Sequence, residues 1–450
     1  MTDSFARSDA AEMARRLVEE ARKAGADAAD AVAVEGTSLM ANWRLGRLED
    51  VERSEGQDVG LRVFVGQRQA CVSSNDLKER GIPQLVERAL AMARTVPEDP
   101  WAGLAPGDRL VRDIPQLDLD DEAELPTERL TEIAASAEDA ALAVRGVTNS
   151  NGASAGWSRG SVFLVTSSGF TGAYSKSSHS VSCSVLAGSG TEMETDYDYT
   201  TARHLTDLRD AKEVGRLAGE RSVRRLGSRR PPSGRVPVVF DRRVSRTLLG
   251  HFAGAISGSA IARGTSFLKE EMDKPVFADR VTIIDDPHRR RGLGSRPFDG
   301  EGVAMRRCKV VDGGRLTTWL LDSATARQLG LKTTGHAARG TGGPPQPSPS
   351  NFYMEPGEAT PEALMADIES GFYVTDLIGM GVNAVTGDYS RGAGGFWIEN
   401  GRIAHPVNEV TVAGNLKDMF RDLTPANDLE FRYGMDAPTV RVDGMTVAGA

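Results

Sequence analysis

The chain has 450 residues, 40% of them hydrophobic and 26% charged, with a formal net charge of −9. That length predicts two or three domains and that composition a soluble globular protein. The acidic balance argues against a nucleic-acid binder. No run approaches the ~18 apolar residues that a membrane-spanning helix needs. The three cysteines, Cys71, Cys183 and Cys308, are far apart and include no CxxC pair. A disulfide framework and a cysteine zinc ribbon are therefore not expected, and a reducing cytoplasm is the simplest location.

The N-terminal segment has no apolar core behind its first basic residue and reads as an amphipathic helix, not a signal peptide. Met13, Leu17, Val18 and Ala21 fall at helical spacing. Short strands are predicted at Ala31–Glu35 and Leu39–Trp43. A hairpin follows, Val59–Val65 and Arg68–Ser73 turning at Gly66-Gln67, and then a second helix over Leu85–Thr95. A connection rich in Pro, Asp and Glu leads to an Ala-rich helix at Leu130–Ala143. The Ser/Gly/Thr-rich stretch from Gly152 to Thr201 alternates apolar and polar residues, as in Ser180-Val-Ser-Cys-Ser-Val-Leu186. It reads as antiparallel strands. A helix over Asp207–Leu226 and the linker Arg229-Arg-Pro-Pro-Ser-Gly-Arg-Val-Pro237 complete this part.

Beyond Val236 the pattern is mixed. Val236–Phe240 reads as a strand, and Leu248–Phe267 as a small-residue, mildly apolar segment. Strand-like pieces at Val281–Ile284, Cys308–Val311 and Thr317–Leu321 follow, the last two joined by an Asp312-Gly-Gly turn. Gly335–Asn351 is a long Gly/Pro/Ser loop. A helix is expected over Pro361–Ser370 with Thr360 as its cap, then strands at Gly371–Thr375, Gly395–Glu399 and Val410–Ala413, with Asn400-Gly-Arg as a hairpin turn. The fold class expected is α+β: a small N-terminal α/β domain (1–100), a middle segment of helices and antiparallel strands (101–228) and a larger sheet-rich C-terminal domain (236–450).

Four segments carry a resemblance. Asp299-Gly-Glu-Gly302, Gly330-Leu-Lys-Thr-Thr-Gly-His336, Thr386-Gly-Asp-Tyr-Ser-Arg-Gly-Ala-Gly-Gly-Phe-Trp-Ile-Glu-Asn-Gly401 and Asn408-Glu-Val-Thr-Val-Ala-Gly-Asn-Leu416 closely resemble the TldD/PmbA family, long labelled modulator of DNA gyrase. The similarity runs nearly end to end. It implies a cytoplasmic zinc peptidase built from two related subunits. The TldD-type subunit carries HExxxH and a later cysteine ligand, and the PmbA-type subunit, also called TldE, lacks them. Laid over this chain, the HExxxH positions hold Gly250, His251 and Ala255, and no cysteine follows Cys308. The resemblance is thus to the PmbA/TldE-type subunit, with no metal or catalytic residue of its own. Zinc is expected in a TldD-type HExxxH partner that processes small, unfolded or modified peptides. Whether the chain pairs with itself as a homodimer when that partner is absent stays open.

The remaining candidates are weaker. The six histidines stand at least 25 positions apart, and none forms a helical ligand pair. His251 reads as a polar residue on a buried helix, bonded to backbone. Gly254-Ala-Ile-Ser-Gly258 has one residue too many for a nucleophile elbow. Cys183 and Cys308 read as small core residues. Gly392-Ala-Gly-Gly and Gly340-Thr-Gly-Gly lack the Walker lysine, so glycine there is expected to serve tight turns or close backbone approach. His336, Asp388, Tyr389 and Arg391 are candidate contacts to substrate or partner. Asp388 and Arg391 are expected to pair with each other and hold the loop. An exposed strand edge would bind an extended peptide by backbone pairing, whatever its sequence. Two alternatives stay open: a non-enzymatic regulatory or peptide-binding protein, and a self-sufficient hydrolase. No membrane or nucleic-acid contact is expected.

Overall fold

The computed structural model describes residues 8–76 and 78–449. The first seven residues of the segment read as helical lie outside it. Helix α1 (Asp9–Lys23) starts at Ser8, whose side chain accepts a hydrogen bond from the Ala11 N–H, and turns Met13, Leu17, Val18 and Ala21 inward. Then come β1 (Ala28–Arg44), β2 (Arg47–Val65), β3 (Arg68–Ser74) and α2 (Ile82–Thr95). After a long irregular connection follow α3 (Thr127–Leu142), β4 (Val147–Thr166), β5 (Thr171–Ala187), β6 (Glu194–Ala202) and α4 (Ala211–Arg224).

These strands form one antiparallel sheet in the order β3-β2-β1-β4-β5-β6. The strand β1 pairs with β4 from Asp30–Thr166 through Trp43–Ala153, so the sheet crosses from the first hundred residues into the middle segment without a break. The two short strands expected at Ala31–Glu35 and Leu39–Trp43 are one strand of 17 residues. Gly36-Thr-Ser interrupts the apolar alternation without interrupting the ladder. The helices lie on one face in two groups, α1 and α2 over one core cluster and α3 and α4 over another. Glu138 of α3 is fully buried and accepts the Leu45 and Gly46 N–H groups at 3.0 and 3.2 Å, which fixes the tip of the β1–β2 hairpin.

The C-terminal part opens with β7 (Gly234–Phe240), α5 (Arg242–Ala255) and α6 (Gly258–Ala262). It continues with β8 (Ile283–Asp285), β9 (Cys308–Asp312), β10 (Arg315–Leu316), α7 (Ser323–Gln328), β11 (Ala337–Ala338), β12 (Gln346–Pro347), β13 (Phe352–Met354) and α8 (Pro361–Met365). The last elements are β14 (Ser370–Ile378), β15 (Asp388–Glu399), β16 (Arg402–Asn415), α9 (Leu416–Asp422), β17 (Thr424–Pro425), β18 (Met435–Asp436) and β19 (Val440–Ala448).

The strands β16-β15-β14-β7-β19 are hydrogen-bonded in that order, and β16 also pairs with β19. The sheet therefore closes into a five-stranded ring. The pair β14–β7 is parallel and every other pair in the ring antiparallel. A second small sheet, β10-β9-β8-β13-β18, packs with α5 into the same core around Phe252, Phe277, Phe352 and Phe420. Asn400 and Gly401 adopt positive φ (49° and 77°) between β15 and β16, as the expected Asn-Gly turn requires. Two expected elements are shorter than read. Thr317–Leu321 is irregular beyond Leu316, because its backbone turns away to pair with α6 at Ser257–Leu320. The helix from Pro361 ends at Met365, since Ser370 already belongs to β14.

Candidate functional site

Gly250, His251 and Ala255, the residues that the resemblance lays over HExxxH, lie in the second half of α5. Asp241 caps the helix by accepting the Arg243 N–H at 2.8 Å, and it also accepts the Tyr373 hydroxyl at 2.6 Å, so the helix start is tied to β14. Leu248, Leu249, Phe252 and Ala255 face the core. Gly250 is exposed, and a Cβ added there would meet only Met435 Sδ at 3.8 Å. Ala255 is the last residue of the helix and is 4% exposed. At 100° per residue the two positions stand about 140° apart around the axis. One is hydrogen and the other a methyl group. These groups offer zinc no donor, and among the described residues no group of three or more His, Cys, Asp or Glu side chains is placed to hold a metal ion.

His251 is different. It is half-buried and its ring lies edge-on to Tyr389 of β15, with centroids 6.0 Å apart and planes 76° apart. It is not bonded to backbone as expected: its Nε2 is buried without a partner. The Tyr389 hydroxyl and Arg391 Nε are buried and unpartnered as well. Tyr389 is 1% exposed. Residues 389 and 391 project from the same face of β15 by the two-residue period, and Arg391 also donates to the Leu377 carbonyl at 3.3 Å. Burial and the Arg391 charge lower the His251 pKa, so the imidazole is neutral near pH 7. Burial raises the Tyr389 phenol, with Arg391 opposing. The cluster is thus a neutral imidazole, a neutral phenol and a guanidinium, rich in donors and short of acceptors. It suits a carbonyl or carboxylate oxygen.

Tyr389→Phe tests whether that hydroxyl serves the fold. Removing a buried group with no partner is expected to leave thermal stability unchanged or raise it by about 1 kcal/mol. A melting temperature several degrees lower would show that the hydroxyl is used inside the folded chain.

Asp388 and Arg391 do not pair. Three residues apart on one strand, they point to opposite faces. Asp388 is exposed and accepts from Thr386 Oγ1 (2.6 Å) and Asn415 Nδ2 (3.1 Å), closing the loop before β15. Nor is there a free edge beside them, because β15 is flanked by β14, β16 and the Gly381–Val382 backbone. His336 is 2% exposed, not on a contact surface. Its Nδ1 lies 2.8 Å from Thr334 Oγ1 and its Nε2 3.3 Å from Asp285 Oδ2, within the small sheet's support.

Sequence reasoning missed the loop beside this cluster, whose Val382 bridges to Tyr389. From the last residue of β14 into the loop before β15, Ile378, Met380 and Val385 are 61%, 86% and 57% exposed. The apolar run Leu377-Ile-Gly-Met-Gly-Val382 was the available signal. The cysteines offer no nucleophile. Burial pushes the Cys183 thiol up to about 12 and Cys308 to about 11, and it raises Cys71 as well. No helix among the described residues is long and apolar enough to cross a membrane.

Residues 29–93, 120–226 and 233–449 match, in turn, domain 1, the central domain and the C-terminal domain of the PmbA/TldA metallopeptidases. The chain is 38% identical to Metalloprotease PmbA of Escherichia coli O157:H7, covering 97% of both chains. It is 40% identical to the Metalloprotease PmbA homolog of Haemophilus influenzae, covering 96% of this chain and 94% of that one. Among solved structures, a Bacteroides thetaiotaomicron protein labelled a modulator of DNA gyrase superposes with a TM-score of 0.89 at 28% identity, over 98% of both chains. TldE from Thermococcus kodakarensis shares the fold, with a TM-score of 0.85 at 20% identity over 97% of this chain and all of that one. With all three family domains present in order and near-complete relatives above 30% identity, the chain belongs to the PmbA/TldD family.

Proposed function

We propose that this chain is the metal-free, PmbA/TldE-type subunit of a cytoplasmic zinc peptidase, and that a TldD-type HExxxH subunit supplies the zinc. The observation that carries this reading is the second half of α5, where Gly250 and Ala255 replace both imidazole ligands while the helix, its cap and its packing remain. The chain's own contribution is shape and hydrogen bonding. His251, Tyr389 and Arg391 offer donors to an oxygen of a peptide or of the partner's backbone. Ile378, Met380 and Val385 form an exposed apolar rim of the kind that protein contacts cover. The outer half of β2, from Arg47 to Asp58, pairs only with β1, because β3 covers β2 no further than Val59. That free edge suits an extended peptide, whatever its sequence. A homodimer formed in the partner's absence would cover the same apolar rim.

Purified alone, the chain is expected to carry no stoichiometric zinc and to hydrolyse no unfolded peptide. Co-expressed with a TldD-type subunit, it should co-purify with it and raise peptidase activity. Stoichiometric zinc with activity in the isolated chain would establish a self-sufficient hydrolase. No complex and no gain of activity would leave a regulatory or peptide-binding protein.

A further inference from the structure

The large N-terminal sheet has a second face, turned away from its helices. There Val32, Leu164 and Phe170 meet Phe298 from the C-terminal part. The contact is incomplete. A cavity of about 510 Å³ lies between the sheet and the 293–300 segment, and it opens into a groove of about 540 Å³ along the sheet. Gly160 and Lys176 border both. The inner walls are apolar, from Val32, Val162, Leu164 and Phe298.

Three neighbouring strands leave the groove floor bare. Gly56, Gly36 and Gly160 stand opposite one another across β2, β1 and β4, and the next residue in that row, on β5, is Lys176. The fold itself does not demand glycine at the ends of this row. Neither Gly56 nor Gly160 has positive φ; a Cβ at Gly56 would meet nothing within 4 Å, and one at Gly160 only Glu35 O at 3.5 Å. Glycine inside a strand weakens it; the ladder shows no bulge at this row, and the use that remains is close approach by a ligand or another backbone.

Lys176 is half-buried and makes no hydrogen bond or ion pair among the described residues. The charges that act on it are Arg203 and Arg296, both positive. Arg203 donates to the carbonyls of Ser177, Gly292 and Leu293. Arg296 donates to those of Ala337, Ser348 and Pro349, and its Nε is buried without a partner. No carboxylate is bonded to any of the three. Of the acids that line the cavity and groove, Glu35 makes no hydrogen bond or ion pair among the described residues, but it precedes Gly36 on β1 and its side chain projects from the face of the sheet opposite to Lys176. The other two are engaged. Asp299 accepts the N–H groups of Glu301, Val303 and Ala337, and Asp58 accepts the Thr341 hydroxyl. Three partly desolvated cations with no bonded counter-ion, beside a cavity whose inner walls are apolar, make a receptor for a negative group on an apolar body.

We infer that this groove is a ligand site in which Lys176 binds the oxyanion of a small ligand whose apolar part lies between Val162, Leu164 and Phe298. The free C-terminal end of a short apolar peptide and a phosphate monoester share this chemistry. The site lies on a different sheet from the α5 cluster and stands whether or not the chain joins a peptidase.

Isothermal titration of the full chain with an acetylated apolar tripeptide acid, its amide and inorganic phosphate tests the assignment. The acid is expected to bind and the amide to bind at least about tenfold more weakly, since a charge-assisted hydrogen bond is lost. Lys176→Met should weaken the acid about tenfold or more while melting no lower than the wild type, and Lys176→Arg should keep most of the affinity. Binding of phosphate without the peptide acid would assign the oxyanion site to phosphate ligands. Equal binding of acid and amide, undiminished binding by Lys176→Met, or no binding of either anion would overturn the inference.

Discussion

Asp30→Ala is expected to destabilise the protein by about 3–5 kcal/mol, the cost of stripping the counter-ion from buried charge. Asp30 is 1% exposed near the start of β1. It receives Arg62 of β2 through Nη2 at 2.5 Å and Nε at 3.1 Å, and Arg339 from the C-terminal part through Nη1 at 2.5 Å. Both guanidinium side chains are at most 4% exposed. One carboxylate therefore holds two cations, and one of them crosses from the ring half of the molecule to the sheet half. Burial alone would raise the Asp30 pKa, but Arg339 and Arg62 outweigh it and hold the group below the ordinary carboxylate range. The sign of the pH dependence follows. A depressed folded-state pKa contributes stability above the unfolded value, and that contribution is lost as the pH falls through the folded pKa. Urea unfolding at pH 7 should show the full loss in Asp30→Ala, and the variant's stability should decline less than the wild type's as pH drops below 4. A loss under about 1 kcal/mol at pH 7 would mean that water reaches the two arginines and screens them.

Gly395→Ala should be worse tolerated than its single methyl group suggests. A Cβ at this position would lie 2.0 Å from the Tyr373 carbonyl oxygen and 3.0 Å from Val374 Cα, both backbone atoms of β14. In an open sheet β14 could shift. Here it is held between β15 and β7 in a ring that β16 and β19 close, so a shift at one seam opens another. The expected loss is at least about 3 kcal/mol, the upper end of ordinary overpacking. It should appear as little soluble protein on expression and a lowered urea midpoint. The same substitution at Gly343, where a Cβ meets nothing within 4 Å, is the control. Equal stability of the two variants would show that the β14–β15 seam can open.

That contrast separates what was legible in the sequence from what was not. Glycine in Gly392-Ala-Gly-Gly and Gly340-Thr-Gly-Gly reads alike as permitting turns or close approach. Only the ring distinguishes Gly395, pressed on Tyr373, from Gly340, Gly342 and Gly343, which face open space. Local signals were sound: the Asn400-Gly turn, the Thr360 cap and the helical spacing of Met13, Leu17 and Val18 all correspond to what forms. Long-range pairing was illegible. His251 could be singled out as the odd residue of a ligand-poor helix, yet its neighbour Tyr389 arrives through ring closure. Asp388 and Arg391 looked like a pair because charge and proximity were visible and the strand's two faces were not. Lys176 sits in a Ser-rich alternating strand, and nothing in the alternation marks it as lacking a counter-ion.

The unbroken ladder between β1 and β4 also sets an order of events during synthesis. When the ribosome has released β1, β2 and β3, the inner edge of β1 is still open, and its partner β4 begins only at Val147. Until β4 has emerged as well, the nascent sheet carries a long unpaired edge, the feature by which strands of separate chains find one another. Asp30 waits longer still, since Arg339 emerges only after three-quarters of the 450 residues. The first segment therefore cannot complete itself in isolation. The Gly36-Thr-Ser stretch that hid β1 from a sequence reading lies in the middle of that edge, where Gly36, a residue depleted in strands, makes premature pairing less favourable.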